Sequence, residues 1–184
     1  VKKSSFKFDM AKLNELKKNL GARPDIQVGV FSARSTRKDG KLTNADLARA
    51  HELGVPEHNL PARSMLKVPI SDHAQEIMAP FKGHADAYVK GGGTLENMWK
   101  QIGAACEAVV AQGFKTQGFG KWAPLSPRYY MWKVTHNTSG KRRSKRKISD
   151  ILGRIYAGQE SIAILILTGE FRRSFSSRVR MRFT

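Results

Sequence analysis

Apolar residues recur along this chain with two periods, and each period marks a kind of element. Met10, Leu13, Leu16 and Leu20 share one helical stripe, with Asp9 placed to cap it, Gly21 to stop it and Pro24 beyond. Ile26 to Phe31 alternates and is rich in β-branched residues, which predicts a strand; Ser32 to Lys41 then reads as a polar, basic loop. Thr43 predicts the cap of a helix over Asn44 to Leu53, ended by Gly54 and Pro56, and Val55 to Pro69 is expected to be irregular.

Further on, Asp72 with Gln75 suggests a capping box for a helix carrying Ile77, Phe81, Ala85 and Tyr88, kinked or delayed by Pro80. After the break at Gly91-Gly92-Gly93, Thr94 opens the strongest helical pattern, with Leu95, Met98, Ile102, Ala105 and Val109 forming an apolar seam. That seam suits a core helix first, and a neighbouring helix or subunit second. Phe114 to Pro127 is punctuated by glycine and proline, and Arg128 to Val134 has a weaker helical pattern. His136 to Lys147 is expected as an extended or disordered basic loop, and Ile162 to Leu167 as a buried strand. Thr168 is placed to cap one turn through Ser174, and Arg178 to Phe183 alternates three arginines with three apolar residues, the mark of a two-faced strand. The fold class is therefore α+β: a small, mostly antiparallel sheet from Ile26–Phe31, Ile162–Leu167 and Arg178–Phe183, packed on the helix that starts at Thr94. Residues 1–184 are expected to form one domain, with 136–147 as a flexible insertion.

Charge changes the picture. The 184 residues carry 33 Lys plus Arg against 15 Asp plus Glu, a formal net charge of +18, which calls for a polyanionic or acidic partner. Two thirds of the excess lies in Lys121 to Thr184, where 15 basic residues face three acidic ones. A 40% hydrophobic content argues against a mostly disordered chain, and no apolar run approaches the ~20 residues of a membrane span, so no membrane partner is expected. One cysteine excludes an intramolecular disulfide.

Catalytic and metal motifs fail on spacing. His51-Glu52 begins a zinc-protease pattern, but Val55 stands where the second histidine is needed. His58, His73, His84 and His136 have no ligand spacing with one another or with Cys106, so no metal and no cofactor are expected. The triple glycine lacks the lysine and hydroxyl of a phosphate loop, and Asn137-Thr138-Ser139 reads as a polar loop. Cys106, beside Glu107 on the apolar seam, is better read as a structural thiol than as a nucleophile.

Lys141 to Lys147 holds six basic residues in seven. Alone it reads as a solvated loop, a localisation tag or a contact for phosphates or an acidic protein surface. Arg172, Arg173, Arg178, Arg180 and Arg182 strengthen the last reading, because neutralising several phosphates at once releases counterions. The candidate contact set for DNA or an acidic partner is Lys141, Arg142, Arg143, Lys145, Arg146, Lys147, Arg178, Arg180 and Arg182. It carries no signature able to read base sequence. Replacing Lys141–Lys147 by Gly and Ser is expected to leave folding nearly unchanged.

Five segments in order resemble the phage virion morphogenesis family, the Mu-like tail-completion proteins, similar to siphophage tail-completion proteins at the head-tail joint. They are Val28-Gly-Val-Phe31, Asn44-Ala-Asp-Leu-Ala-Arg-Ala-His51-Glu-Leu-Gly54, Leu60-Pro-Ala-Arg63-Ser-Met-Leu66, Trp122-Ala-Pro-Leu125-Ser-Pro127 and Ile164-Leu-Ile-Leu-Thr168-Gly-Glu-Phe-Arg172-Arg173-Ser-Phe175. The resemblance spans roughly Ile26 to Val179. It departs from the family at Leu53, where phenylalanine is usual, at the basic insertion, and at the end of the chain, where many members continue. What it implies is a non-enzymatic virion protein of the neck or head-proximal tail end, assembled in the host cytoplasm. The implied partners are other copies of the chain in a ring, expected to be hexameric, the head connector, the tail tube or tail terminator, and packaged DNA in the lumen. Trp122, Leu125, Arg172 and Arg173 are the expected subunit contacts, although intramolecular packing accounts for Trp122 and Leu125 equally well. The rival function is a stand-alone, non-specific nucleic-acid-binding protein; a nuclease lacks the acidic metal cluster it needs.

Overall fold

The computed structural model describes residues 22–31, 33, 35–37, 42–90, 92–137, 139–158, 162, 164–165 and 169–183, with Ala11 and Asn14 before them. The helix expected over residues 9–20 therefore lies almost wholly outside the described residues. Two strands, β1 (Ala22–Val30) and β2 (Phe175–Phe183), pair antiparallel with Ala22 opposite Phe183 and Val30 opposite Phe175. Between them run α1 (Asn44–Leu53), α2 (Lys67–Asp72), α3 (Ala74–Met78), α4 (Phe81–Val89), α5 (Leu95–Lys115), α6 (Pro127–Thr135), α7 (Lys145–Tyr156) and the single turn α8 (Glu170–Arg173). The class is α+β, with the long central helix α5 packed on the sheet.

Local chemistry explains the bounds. Thr43 caps α1, as expected, and the structure adds a full capping box with Asp46. Thr94 accepts from the Asn97 amide and opens α5. The capping box expected at Asp72 and Gln75 does not form. The helix carrying Ile77, α3, starts at Ala74 without a side-chain cap, and a separate helix, α2, precedes it from Lys67, with Pro69 in its first turn, where an amide N–H would have no helical partner anyway. Asp72 instead ends α2 and pairs with Lys121 at 2.6 Å, and Pro80 precedes α4.

Helix α5 runs through two apolar clusters. Ile102 and Cys106 join Ile77, with Ile26 and Val28 of β1 packed against them; Val110 and Phe114 join Ala48, Met65, Trp122, Ile164, Phe171 and Phe175. The sheet approaches α5 closely because residue 103 is glycine, whose absent Cβ would stand 2.6 Å from the Ser177 hydroxyl. One turn later Glu107 accepts from the Ser177 amide at 2.5 Å, covering an edge group of β2. The sheet is two-stranded: Ile164 and Leu165, expected in a third strand, form a turn, with Leu165 at φ 61°. Ile164 is still buried, so the apolar run marks the core without marking a strand.

Candidate functional site

Four of the five segments that carry the family resemblance converge on one region. The Glu52 carboxylate accepts from the Ser64 hydroxyl at 2.5 Å and from the amides of Met65, Leu66 and Lys67 at 2.7, 3.1 and 2.9 Å. Burial raises its pKa, but those four donors outweigh burial and hold it below the ordinary carboxylate value. Arg63 donates its backbone N–H to the His51 carbonyl, Nε to the Ala123 carbonyl at 2.9 Å and Nη2 to the Pro124 carbonyl at 3.0 Å. Trp122 donates Nε1 to the Ser64 carbonyl at 2.8 Å, and Phe171 stands 6.2 Å from the His51 ring.

Of these residues, His51, Arg63, Pro124 and Phe171 wall a cleft of about 600 Å³. Its described lining holds three cations, Arg37, Arg63 and Lys133, together with His51, Asn59, Ser126 and Tyr129, and includes no aspartate or glutamate. Leu47, Leu60, Pro61, Pro124, Leu125 and Phe171 supply apolar surface. Arg63 and Lys133 are interior groups, 5% and 8% exposed. Burial pulls both pKa values down; for Arg63 the neighbouring Tyr129 acts the other way. His51 Nδ1 is buried without a hydrogen-bond partner, and burial, then the Arg63 charge, lowers its pKa to about 4, so the imidazole is neutral at pH 7.

The basic segment is a second surface, and it is not the extended loop that charge repulsion predicted. It folds as the tip of a helical hairpin. Asn137 Oδ1 accepts from the Ser139 and Lys141 amides at 3.0 and 2.9 Å, and His136 pairs with Arg142. Arg143 donates Nη1 to the Lys133 and Val134 carbonyls at 2.6 and 2.7 Å, capping the C-terminal end of α6. Ser144 caps α7, whose Ile151 is buried and whose Ile148, Leu152 and Ile155 are half-buried. Lys141, Arg142, Lys145, Arg146 and Lys147 are exposed around this turn, and the first turn of α7 contains no acidic residue. Beside the tip, α6 stacks Tyr129 on Trp132 at 5.7 Å and Trp132 on His136 at 5.2 Å, nearly parallel in both pairs.

The other expected contacts are dispersed. Arg178 lies over the Phe31 ring at 4.1 Å, Arg180 is exposed opposite Asp25, and Arg182 is placed by its backbone opposite Arg23. Trp122 is 8% exposed and T-stacked on Phe114 within the core of the chain. Leu125 is half-buried at the cleft; Arg172 is partly exposed and Arg173 exposed on α8. Sequence reasoning missed Glu52, Arg63, Tyr129 and Lys133 as a group because the partners of each lie far away along the chain. Cys106 is buried, which pushes its thiol pKa up and suits a structural role. Among the described residues no cluster of three or more His, Cys, Asp or Glu could hold a metal, and no helix is long and apolar enough to cross a membrane. No family model, curated protein or solved structure matches the chain.

Proposed function

We propose that the chain is a structural subunit of a tailed-bacteriophage virion, forming a ring at the neck or head-proximal tail end that joins tail to head connector around the DNA channel. The observation that carries this reading is the hairpin tip. Lys145, Arg146 and Lys147 occupy a first helical turn, where the macrodipole disfavours cations by about 0.3–1 kcal/mol each. A helix that keeps them there, next to exposed Lys141 and Arg142, is built to meet negative charge. In the ring the tip faces packaged DNA or an acidic patch of the connector. The mutual hydrogen bonding of the motif segments supports the family resemblance, since residues matched in order also make one another's structure.

Native mass measurement with negative-stain microscopy tests the ring directly. Closed rings are expected. A chain that stays monomeric at every concentration and salt, with salt-sensitive nucleic-acid binding as its sole property, overturns the proposal. That outcome belongs to the second reading, a stand-alone nucleic-acid binder, which the aromatic stack on α6 favours because rings beside cations suit unpaired bases.

A further inference from the structure

We propose that one face of α6 and the hairpin tip form a single binding surface for unpaired nucleic-acid strands, with bases laid on a ladder of rings and phosphates on the cations of the tip. Tyr129, Trp132 and His136 stand three and four residues apart, so they share one face of α6. With Arg128 and Met131 they line a groove of about 460 Å³, whose described lining includes no aspartate or glutamate. Their planes lie within 7° and 12° of parallel at centroid distances of 5.7 and 5.2 Å. Parallel rings that far apart are offset, so each covers only part of its neighbour's face. Tyr129 and Met131 are 44% and 46% exposed, and Trp132 and His136 are half-buried. The ladder is set in place beforehand. His136 Nδ1 stands 3.1 Å from the Trp132 carbonyl, which can only accept, so Nδ1 carries the proton and the donated bond fixes the ring. A platform held in this way loses little entropy when a ligand arrives.

Cations flank the ladder at both ends. Arg128 precedes Tyr129; at the other end His136 pairs with Arg142, beside Lys141, and Lys145, Arg146 and Lys147 follow on α7. All six are exposed, and among the described residues none of these side chains makes a hydrogen bond or ion pair. From Ser126 to Tyr156, nine lysines and arginines meet one acidic residue, Asp150, which lies beyond the first turn of α7. Ring faces bordered by free cations match a strand in which bases and phosphates alternate. A duplex keeps its bases stacked on one another and offers only their edges, so the ladder favours an unpaired strand. The choice of nucleic acid rests on the reading of the tip as a contact for DNA, and narrows it to single strands. Ring formation is a separate property, and the two can fail separately.

The test titrates a short fluorescein-labelled oligothymidylate, and a blunt DNA duplex of equal length, against the whole chain by anisotropy at physiological ionic strength. The single strand is expected to bind at least about fivefold tighter than the duplex and to quench tryptophan fluorescence. Trp132→Leu is expected to weaken strand binding at least about fivefold and duplex binding by less than about twofold. Trp132→Phe keeps a ring, so its affinity is expected within about threefold while the quenching disappears, an arm that holds even where the leucine variant does not fold. Lys145→Glu combined with Lys147→Glu is expected to weaken both ligands. Oligouridylate, run alongside, distinguishes RNA from DNA as the strand taken, and binding of either supports the surface. Equal affinity for strand and duplex, or quenching that persists in Trp132→Phe, overturns the ladder and leaves the tip's contact with DNA standing. Failure to bind any of the nucleic acids overturns both. Poly-L-glutamate that displaces the strand as readily as unlabelled strand at equal charge also overturns the proposal, in favour of an acidic protein. Ring formation, read by mass, does not enter these outcomes.

Discussion

With its carboxylate shared among one hydroxyl and three amides, Glu52 ties α1 to the start of α2, and Ser64 passes the connection on by accepting from the Val68 amide at 2.9 Å. Glu52→Ala is expected to cost roughly 2–3 kcal/mol, seen as a lower denaturant midpoint at unchanged slope, because half-buried donors lose a charged acceptor. Its neighbour His51 has a folded-state pKa of about 4 against an ordinary value of 6.5. The unfolded chain therefore binds the proton first. His51 favours the native state fully above pH 6.5, and that contribution is lost as pH falls toward 4. Thermal melts are expected to drop over this window, and His51→Gln to flatten the drop; an unchanged profile in the variant would place the titration elsewhere. Gly118, at φ 69°, leaves room for the Trp122 indole 2.2 Å from where a Cβ would stand, so Gly118→Ala is expected to unseat Trp122 and quench cooperative unfolding. At this scale the sequence is legible where a hydroxyl caps the helix that follows it, as at Thr43 and Thr94. It is silent where the partner is distant, as for Arg63 and the Ala123 carbonyl.

Helix α7 is the element on which charge and periodicity disagree. Six basic residues in seven read as a repelling loop, yet Ser144 followed by Ile148, Ile151, Leu152 and Ile155 is a capped amphipathic helix, and burial of Ile151 decides it. The expectation that Gly and Ser could replace 141–147 without cost is withdrawn, because Arg143 caps α6 and Ser144 accepts from the Lys147 amide. Lys145→Glu and Lys147→Glu are expected to move stability and binding in opposite directions. Each should stabilise the helix by about 0.3–1 kcal/mol. Each should also weaken DNA binding and lower the slope of log affinity against log salt by about 1. The two strands were legible from alternation, β2 with its arginines on one face, whereas Ile162–Leu167 was not. An apolar run of that length satisfies a buried strand and a buried turn alike, and what distinguishes them is the turn at Ile164 and Leu165, with Leu165 at φ 61°.

At the scale of the whole molecule, a chain of +18 repels its copies, so the proposed ring is expected to form more readily at raised ionic strength or with short duplex DNA than at low salt. Mass measurement across a salt series reads this, and assembly that weakens steadily with salt would contradict it. The pairing of Val30 with Phe175 has a further consequence, for the order of events in the cell. The sheet joins segments near opposite ends of the described chain, so β1 leaves the ribosome long before the strand that must cover it exists. Until synthesis reaches Phe183, the flank of α5 at Gly103 has no Ser177 to meet it, and contacts of such high sequence separation form late and slowly. A nascent chain thus lacks its closing strand, and the proposed ring is expected to form only from chains whose translation has passed β2.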